Sequence, residues 1–105
     1  MVGIDIVDVS RIVDVVNRYG DRFLEKVFAE EEIEYAKSMK GMHESLAGRF
    51  AAKEAFMKAF GRRLAWKDIK VLQTKGKPFI HFHGKNYRGV SISHERAYAV
   101  SMVIL

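Results

Sequence analysis

The chain has 105 residues, of which 49% are hydrophobic and 30% charged, and this composition is typical of one folded domain rather than a disordered segment. Its 18 lysines and arginines exceed its 13 aspartates and glutamates by five, which favours polyanionic partners. Cysteine is absent, so disulfides, thiolate metal sites and a cysteine nucleophile are excluded. We expect a single domain over residues 1–105, with no membrane span and no signal peptide, and therefore a cytoplasmic location.

The first half of the chain is predicted to hold one strand and four helices. Alternating apolar residues over 1–7 indicate a short strand, in which Asp5 is the one charge. The first helix is expected to begin near Asp8 or Ser10 and to end at Gly20. Three more helices are predicted over residues 22–28, 29–39 and 43–60.

The second half is rich in residues typical of strands. Strands are predicted over residues 66–74, 79–83, 90–93 and 97–105, with turns over 75–78 and 84–89. One strand, several helices and then four strands predict an α+β fold, with helices packed on a largely antiparallel sheet.

The long helix over 43–60 has no solvated face. Aromatic and aliphatic residues form one side of it, and glycine and alanines form another side that suits close approach of a second element. Its four charges therefore lie within or beside the apolar arc: Arg49, Lys53, Glu54 and Lys58. Either they pair with one another while their stems reach solvent, or they hold a bound ion or polyanion; we favour the second explanation most for Lys53 and Glu54.

Asp5 is a second carboxylate in an apolar setting. It is expected to be hydrogen-bonded, charge-paired or metal-bound. Asp5 and Glu54, with no histidine or cysteine cluster near them, suit a hard cation, and Mg²⁺ fits best because it commonly uses one or two carboxylates, waters and phosphate oxygens. Such a site is typical of phosphoryl-type transfer from a nucleotide, with lysine and arginine holding phosphates.

Other basic side chains suggest binding roles. His94 ends a predicted strand and could be a general base, a phosphate donor or a turn residue. Arg11, Arg18 and Arg22 form a basic stripe that is either a solvated face or a dock for an acidic protein. Nucleic acid is not expected as a partner, because the basic residues are not interleaved with aromatic side chains that could stack on bases.

Several segments, in order along nearly the whole chain, resemble the holo-acyl-carrier-protein synthases, the short single-domain class of phosphopantetheinyl transferases. The matching stretches are Gly3–Val7, Arg11-Ile12, Ala47–Ala55, Lys58–Gly61, Gly76–Pro78, Val90–His94 and Tyr98-Ala99. The resemblance implies the fold of that family and Mg²⁺-dependent transfer of 4′-phosphopantetheine from coenzyme A to a serine of an apo acyl carrier protein, a step of fatty acid biosynthesis. Mn²⁺ is a possible substitute for Mg²⁺, and adenosine 3′,5′-bisphosphate is the implied product.

The resemblance also implies roles for particular residues. Asp5 and Glu54 would bind the metal, and Lys53 and Lys58 would contact phosphates or the reacting region. Arg49 would support the site, and Ser93 would contact the cofactor. His94 would lie near the nucleotide or the reacting serine, and Glu54, a metal-bound water or His94 would act as the base. The arginines of the first helical region would receive the carrier protein, and the chain would form a homotrimer with active sites between subunits.

The sequence departs from the family pattern in two loops. Arg62-Arg63-Leu64 replaces the usual loop after Gly61, and residues 84–89 replace a longer helical segment. Arg62 and Arg63 are candidates to supply phosphate contacts that the trimmed loop lacks. Two other classes remain open from the residues alone: a small basic binding module without catalysis, and an interaction protein whose helix charges only pair internally.

Overall fold

The computed structural model describes all 105 residues, in four helices and six strands. The helices are α1 (Val9–Tyr19), α2 (Asp21–Val27), α3 (Glu30–Ser38) and α4 (Met42–Phe60). The strands are β1 (Val2–Asp8), β2 (Lys70–Thr74), β3 (Lys77–Phe82), β4 (Lys85–Tyr87), β5 (Val90–His94) and β6 (Tyr98–Ile104), and a short 3-10 helix covers Trp66–Asp68. None of the helices combines the length and the hydrophobicity needed to cross a bilayer.

The predicted α+β class is confirmed, and the strands divide into two antiparallel sheets. One sheet has the order β1-β6-β5 and the other the order β2-β3-β4. The prediction of a plain turn over residues 84–89 is wrong, because β4 lies within this segment. Its backbone pairs with the end of β3, where Ile80 is opposite Tyr87.

α4 is the central element and packs against both sheets. Residues of its first half, among them Leu46 and Ala51, belong to a core shared with α1, α2 and α3. Residues of its second half, among them Phe56, belong to a core built with β2 and β3. The small-residue side of α4 receives β1: a Cβ at Gly3 would overlap the backbone of Ala55 and come within 2.7 Å of the Ala59 nitrogen.

The face of the β1-β6-β5 sheet that points away from α4 is apolar and exposed. On β1 it presents Ile4 and Ile6, which are 55% and 64% exposed. Met102 is the register partner of Ile4 in β6, so the apolar side chains are contiguous across the strands. We refer to this surface as the outer face; its other large apolar members are Val2, Tyr98 and Ile104. Contiguous exposed apolar area of this kind is typical of an interaction surface.

Candidate functional site

Asp5 lies on the side of β1 that faces α4. The alternation of β1 buries Gly3 and Val7 on that side, and Asp5 between them keeps 16% of its side chain exposed. The ammonium of Lys58, on α4, donates to Asp5 Oδ1 at 3.1 Å and to the Ile4 carbonyl oxygen at 3.0 Å. The carboxylate is therefore fixed against α4 by a neighbouring cation and still borders solvent.

Glu54 lies one helical turn before Lys58 and thus on the same face of α4 as the partner of Asp5. Its side chain is 20% exposed, and its Oε2 accepts from Nη1 of Arg63 at 3.4 Å. Lys58 thus pairs with Asp5 and shares a face of α4 with Glu54, which places the two carboxylates on either side of one lysine. We call this group, with Arg63, the carboxylate site.

The donor set of the carboxylate site fits a magnesium ion. Asp5 and Glu54 supply carboxylate oxygens that reach solvent, and no group of three or more His, Cys, Asp or Glu side chains is placed to hold a metal anywhere in the chain. A softer metal that needs several nitrogen or sulfur ligands does not suit this set. Mg²⁺ does, because it is commonly held by one or two carboxylates while waters and substrate phosphates complete its shell.

A second group of candidate residues lines a cavity of about 300 Å³ between α3, α4, β5 and the β2–β3 turn. Arg49 lies in its wall, stacked at 4.6 Å on the ring of Tyr35, and donates from Nη1 to the Val71 carbonyl oxygen at 2.6 Å. Its Nε is buried and has no hydrogen-bond partner. Burial lowers the pKa of Arg49 from its ordinary value, because water is removed from the cation, but arginine stays protonated at neutral pH.

His94 borders the same cavity from the end of β5. Gly48 of α4 leaves room for Ile92, since a Cβ there would come within 2.9 Å of that side chain, whereas the His94 ring would lie at an ordinary contact distance of 3.8 Å. His94 also borders a shallow groove of about 200 Å³ on the outer face, which Ser93 and Tyr98 line. Ser93 therefore does not line the cavity of Arg49, although His94 connects the two.

Lys53 lies in the core. Its side chain has no exposed surface, and its three N–H donors are surrounded by four acceptors: Glu32 Oε1 at 2.8 Å and the carbonyl oxygens of Val27 (2.9 Å), Trp66 (3.0 Å) and Ile69 (2.6 Å). Burial lowers the pKa of Lys53 from its ordinary value, and Glu32 opposes this shift. The prediction that Lys53 contacts phosphate is therefore wrong in this structure: its ammonium lies in the core, away from the carboxylate site and the cavity.

Sequence reasoning missed Glu32 and Tyr35. Glu32 lies in the first turn of α3, yet its side chain is fully buried and accepts from Lys53, from the Ala29 nitrogen and from the Val71 nitrogen. Tyr35 supplies the aromatic face under Arg49. The one available signal was that buried cations on α4 need a counter-charge, and sequence alone does not say which glutamate provides it.

The two groups of residues lie at opposite edges of one sheet. Asp5 is on β1, the cavity with His94 is beside β5, and β6 separates these two edge strands. Two strand spacings correspond to roughly 10 Å. None of Asp5, Glu54 and Lys58 lines the cavity of Arg49, so the chain carries two candidate half-sites that do not share a pocket.

The predicted basic stripe is exposed on α1 and α2. Arg11, Arg18 and Arg22 all reach solvent. Arg22 also lines an apolar cleft of about 330 Å³ with Tyr19 and Phe23. This surface combines positive charge with accessible aromatic rings, a combination that suits an acidic protein with an apolar side chain to insert.

Comparison with known proteins identifies the family. Residues 1–103 match the model of the 4′-phosphopantetheinyl transferase superfamily. A holo-[acyl-carrier-protein] synthase of Halothermothrix orenii is 44% identical over 98% of this chain and 94% of its own length. The crystal structure of the Helicobacter pylori synthase in complex with coenzyme A superposes with a TM-score of 0.88 at 32% identity, covering 99% of this chain and 98% of that one. The Bacillus anthracis synthase in complex with CoA (3′,5′-ADP) gives 0.85 at 38% identity, over 97% and 91%. The chain therefore belongs to the holo-acyl-carrier-protein synthases, the single-domain class of phosphopantetheinyl transferases.

Proposed function

We propose that residues 1–105 form one Mg²⁺-dependent transferase domain, which moves 4′-phosphopantetheine from coenzyme A to a serine of apo acyl carrier protein for fatty acid biosynthesis. Mn²⁺ is expected to replace Mg²⁺, because it accepts the same oxygen ligands. The names of the similar proteins support the two substrates, and two of the similar structures contain coenzyme A or its nucleotide part. We place the enzyme in the cytoplasm.

The observation that carries the proposal is the carboxylate site. Asp5 on β1 and Glu54 on α4 are both partly buried, and each is paired with a basic side chain, so the site already balances negative and positive charge. A bound magnesium ion would neutralise the diphosphate of coenzyme A and make adenosine 3′,5′-bisphosphate a better leaving group. Lys58 would donate to phosphate oxygens, because its side chain is about half exposed.

The cavity of Arg49 suits the adenosine bisphosphate end of coenzyme A. Arg49 lies in the wall of the cavity, and its guanidinium charge would attract the phosphates of the nucleotide. His94 at the rim would donate a second hydrogen bond to the nucleotide. Ser93, on the outer face beside His94, would reach the nucleotide only where a neighbouring subunit completes the pocket.

The chemical step needs a base for the serine proton. The serine oxygen forms a bond to the phosphorus on the pantetheine side, the bond from that phosphorus to the bisphosphate breaks, and the proton leaves the serine. Glu54, a metal-held water and His94 are candidates for accepting it. Lys53 is assigned no contact with substrate, because its ammonium is bonded to buried acceptors in the core; it stabilises the part of α4 that carries Glu54.

A homotrimer would join the two half-sites. The outer face is apolar and exposed, and burying it between subunits removes that surface from water. The interfaces of a cyclic trimer are heterologous, and we propose that the β1 edge of each protomer meets the β5 edge of the next. The carboxylate site of one subunit would then complete the cavity of its neighbour. The carrier protein would dock on Arg11, Arg18 and Arg22, beside the cleft between α1 and α2.

The function is tested by incubating the protein with coenzyme A, Mg²⁺ and apo acyl carrier protein, and by measuring the mass of the carrier protein. The expected result is a gain of one phosphopantetheine on a serine. Asp5→Asn and Glu54→Gln are expected to abolish the gain, whereas Glu34→Gln, an exposed acid on α3, should retain it. Coenzyme A binding without any mass gain, whatever divalent ion is added, would instead show a binding module that lacks catalysis.

A further inference from the structure

The two carboxylates of the carboxylate site have counter-ions of different kinds. Lys58 is anchored by two acceptors, Asp5 Oδ1 and the Ile4 carbonyl oxygen. Arg63 has a single hydrogen bond to Glu54, at the long distance of 3.4 Å, and its side chain is 71% exposed. Exposed ion pairs of this geometry contribute little to stability. Arg63 is therefore the counter-ion that is easily displaced.

We propose that Arg63 is an exchangeable counter-ion of Glu54, which gives up the carboxylate when a divalent cation binds and then contacts the diphosphate of the substrate. This inference rests on the proposed function and adds a residue to it. Without a metal, Arg63 neutralises Glu54. With a metal bound, the same guanidinium faces a repelling cation and an attracting polyanion, and both forces move it towards the phosphates.

The position of Arg63 suits both its contact with Glu54 in the metal-free protein and its contact with phosphate when a metal is bound. It lies in the loop just after α4, and its guanidinium lies 5.4 Å from the centre of the Trp66 ring. A cation over an aromatic face keeps its position without using its N–H donors, which remain available for a bidentate phosphate contact. Arg62, the adjacent residue, lies over Phe60 at 5.3 Å and has no acidic partner. The two arginines therefore have the same charge and different neighbours, and only one of them touches a proposed metal ligand.

The experiment measures binding rather than turnover. Mn²⁺ is titrated into the protein without nucleotide, and free Mn²⁺ is followed by electron paramagnetic resonance. We expect Arg63→Ala to bind Mn²⁺ about two- to fivefold more tightly than the wild type, because a competing cation is removed. Arg62→Ala is the matched control, since it removes the same charge without touching Glu54. Its Mn²⁺ affinity should equal that of the wild type.

Coenzyme A is then titrated by calorimetry into the Mn²⁺-saturated proteins. Arg63→Ala should bind it about five- to tenfold more weakly, and Arg63→Lys should recover part of the loss. Unchanged Mn²⁺ affinity, unchanged coenzyme A affinity, or equal effects of Arg62→Ala and Arg63→Ala would each overturn the inference. A wild-type protein that binds no Mn²⁺ at all would instead refute the metal site of the proposed function, so the two failures are distinguishable.

Discussion

The ammonium of Lys53 lies 2.8 Å from Glu32 Oε1, and neither side chain has any exposed surface. Lys53 also binds the carbonyl oxygens of Val27, Trp66 and Ile69, and Glu32 binds the Val71 nitrogen. One buried ion pair thus connects α3 and α4 with the end of α2 and the start of β2. This pair is a non-covalent connection between these elements, and it lies on the residue that precedes Glu54 in α4.

Lys53→Met is expected to destabilise the protein by about 3–5 kcal/mol, because it leaves the Glu32 carboxylate buried without a counter-charge. Denaturant unfolding measures this change. Lys37→Met is the control, since it removes an exposed pair with Asp21 at 3.8 Å and should cost less than about 1 kcal/mol. Adding Glu32→Gln to Lys53→Met should recover part of the loss. A Lys53→Met protein of normal stability that has lost coenzyme A binding would restore the substrate role that the sequence suggested.

Gly3→Ala is expected to separate β1 from α4. The added Cβ would overlap the Ala55 carbonyl oxygen, which belongs to a helix backbone and cannot rotate away. We expect a loss of about 1–3 kcal/mol or more in unfolding free energy, with weaker Mn²⁺ binding because Asp5 moves with its strand. Gly41→Ala is the matched control: its φ of −95° suits alanine, and its nearest neighbour is the flexible side chain of Glu44. Equal stability of the two variants would contradict the close contact between β1 and α4.

Mixing two inactive variants should restore activity if the active site lies between subunits. Glu54→Gln lacks the metal half-site, and His94→Ala lacks a residue of the cavity. In randomly mixed trimers, about a quarter of the interfaces join the intact carboxylate site of one variant to the intact cavity of the other. The measurement is the rate of phosphopantetheine transfer after co-refolding, with each variant refolded alone as the control. No gain on mixing, in trimers shown to be mixed by mass spectrometry, would place both half-sites of each active site in one chain.

Asp8 is expected to make stability depend on acid pH. Hydrogen bonds from the Ser10 hydroxyl and the Ser10 backbone nitrogen lower the pKa of Asp8 from its ordinary value. A carboxylate with a lowered folded-state pKa contributes stability above its unfolded pKa, and this contribution is lost as the pH falls through the folded value. Asp8→Asn keeps an oxygen acceptor without a titrating group. The stability advantage of the wild type should therefore be largest near neutral pH and shrink below about pH 4. The unfolding free energy of both proteins is measured between pH 2 and 7 at one protein concentration. A difference between them that does not change with pH would contradict the prediction.

Most of the fold was predictable because its signals are local. Alternation in β1, and the spacing of apolar and small residues in α4, predicted elements whose bounds agree with the structure within a few residues. The small-residue side of α4 also predicted the close approach that Gly3 makes. β4 was missed because its three residues are polar or aromatic and form a strand only by pairing with β3.

The candidate site was predictable in part. Asp5, Glu54 and Lys58 break the apolar pattern of their own elements, and a violation of that kind is visible in sequence. The interior position of Lys53 was not visible, because it depends on a glutamate 21 residues earlier and on three carbonyl oxygens from other segments. The separation of the two half-sites follows from the strand order β1-β6-β5, a tertiary property that no local spacing encodes.

The position of α4 between two sheets has a consequence for how the molecule opens. The sheets are separate hydrogen-bonded units, and both pack on the same helix: β1 lies along its small-residue side, and β2 and β3 form a core with its second half. Loss of α4 would expose the inner faces of both sheets, so α4 cannot unfold while the two sheets stay native. Backbone amides in the middle of α4 should accordingly exchange with deuterium only through global unfolding, and those of the short edge strand β4 should exchange far sooner.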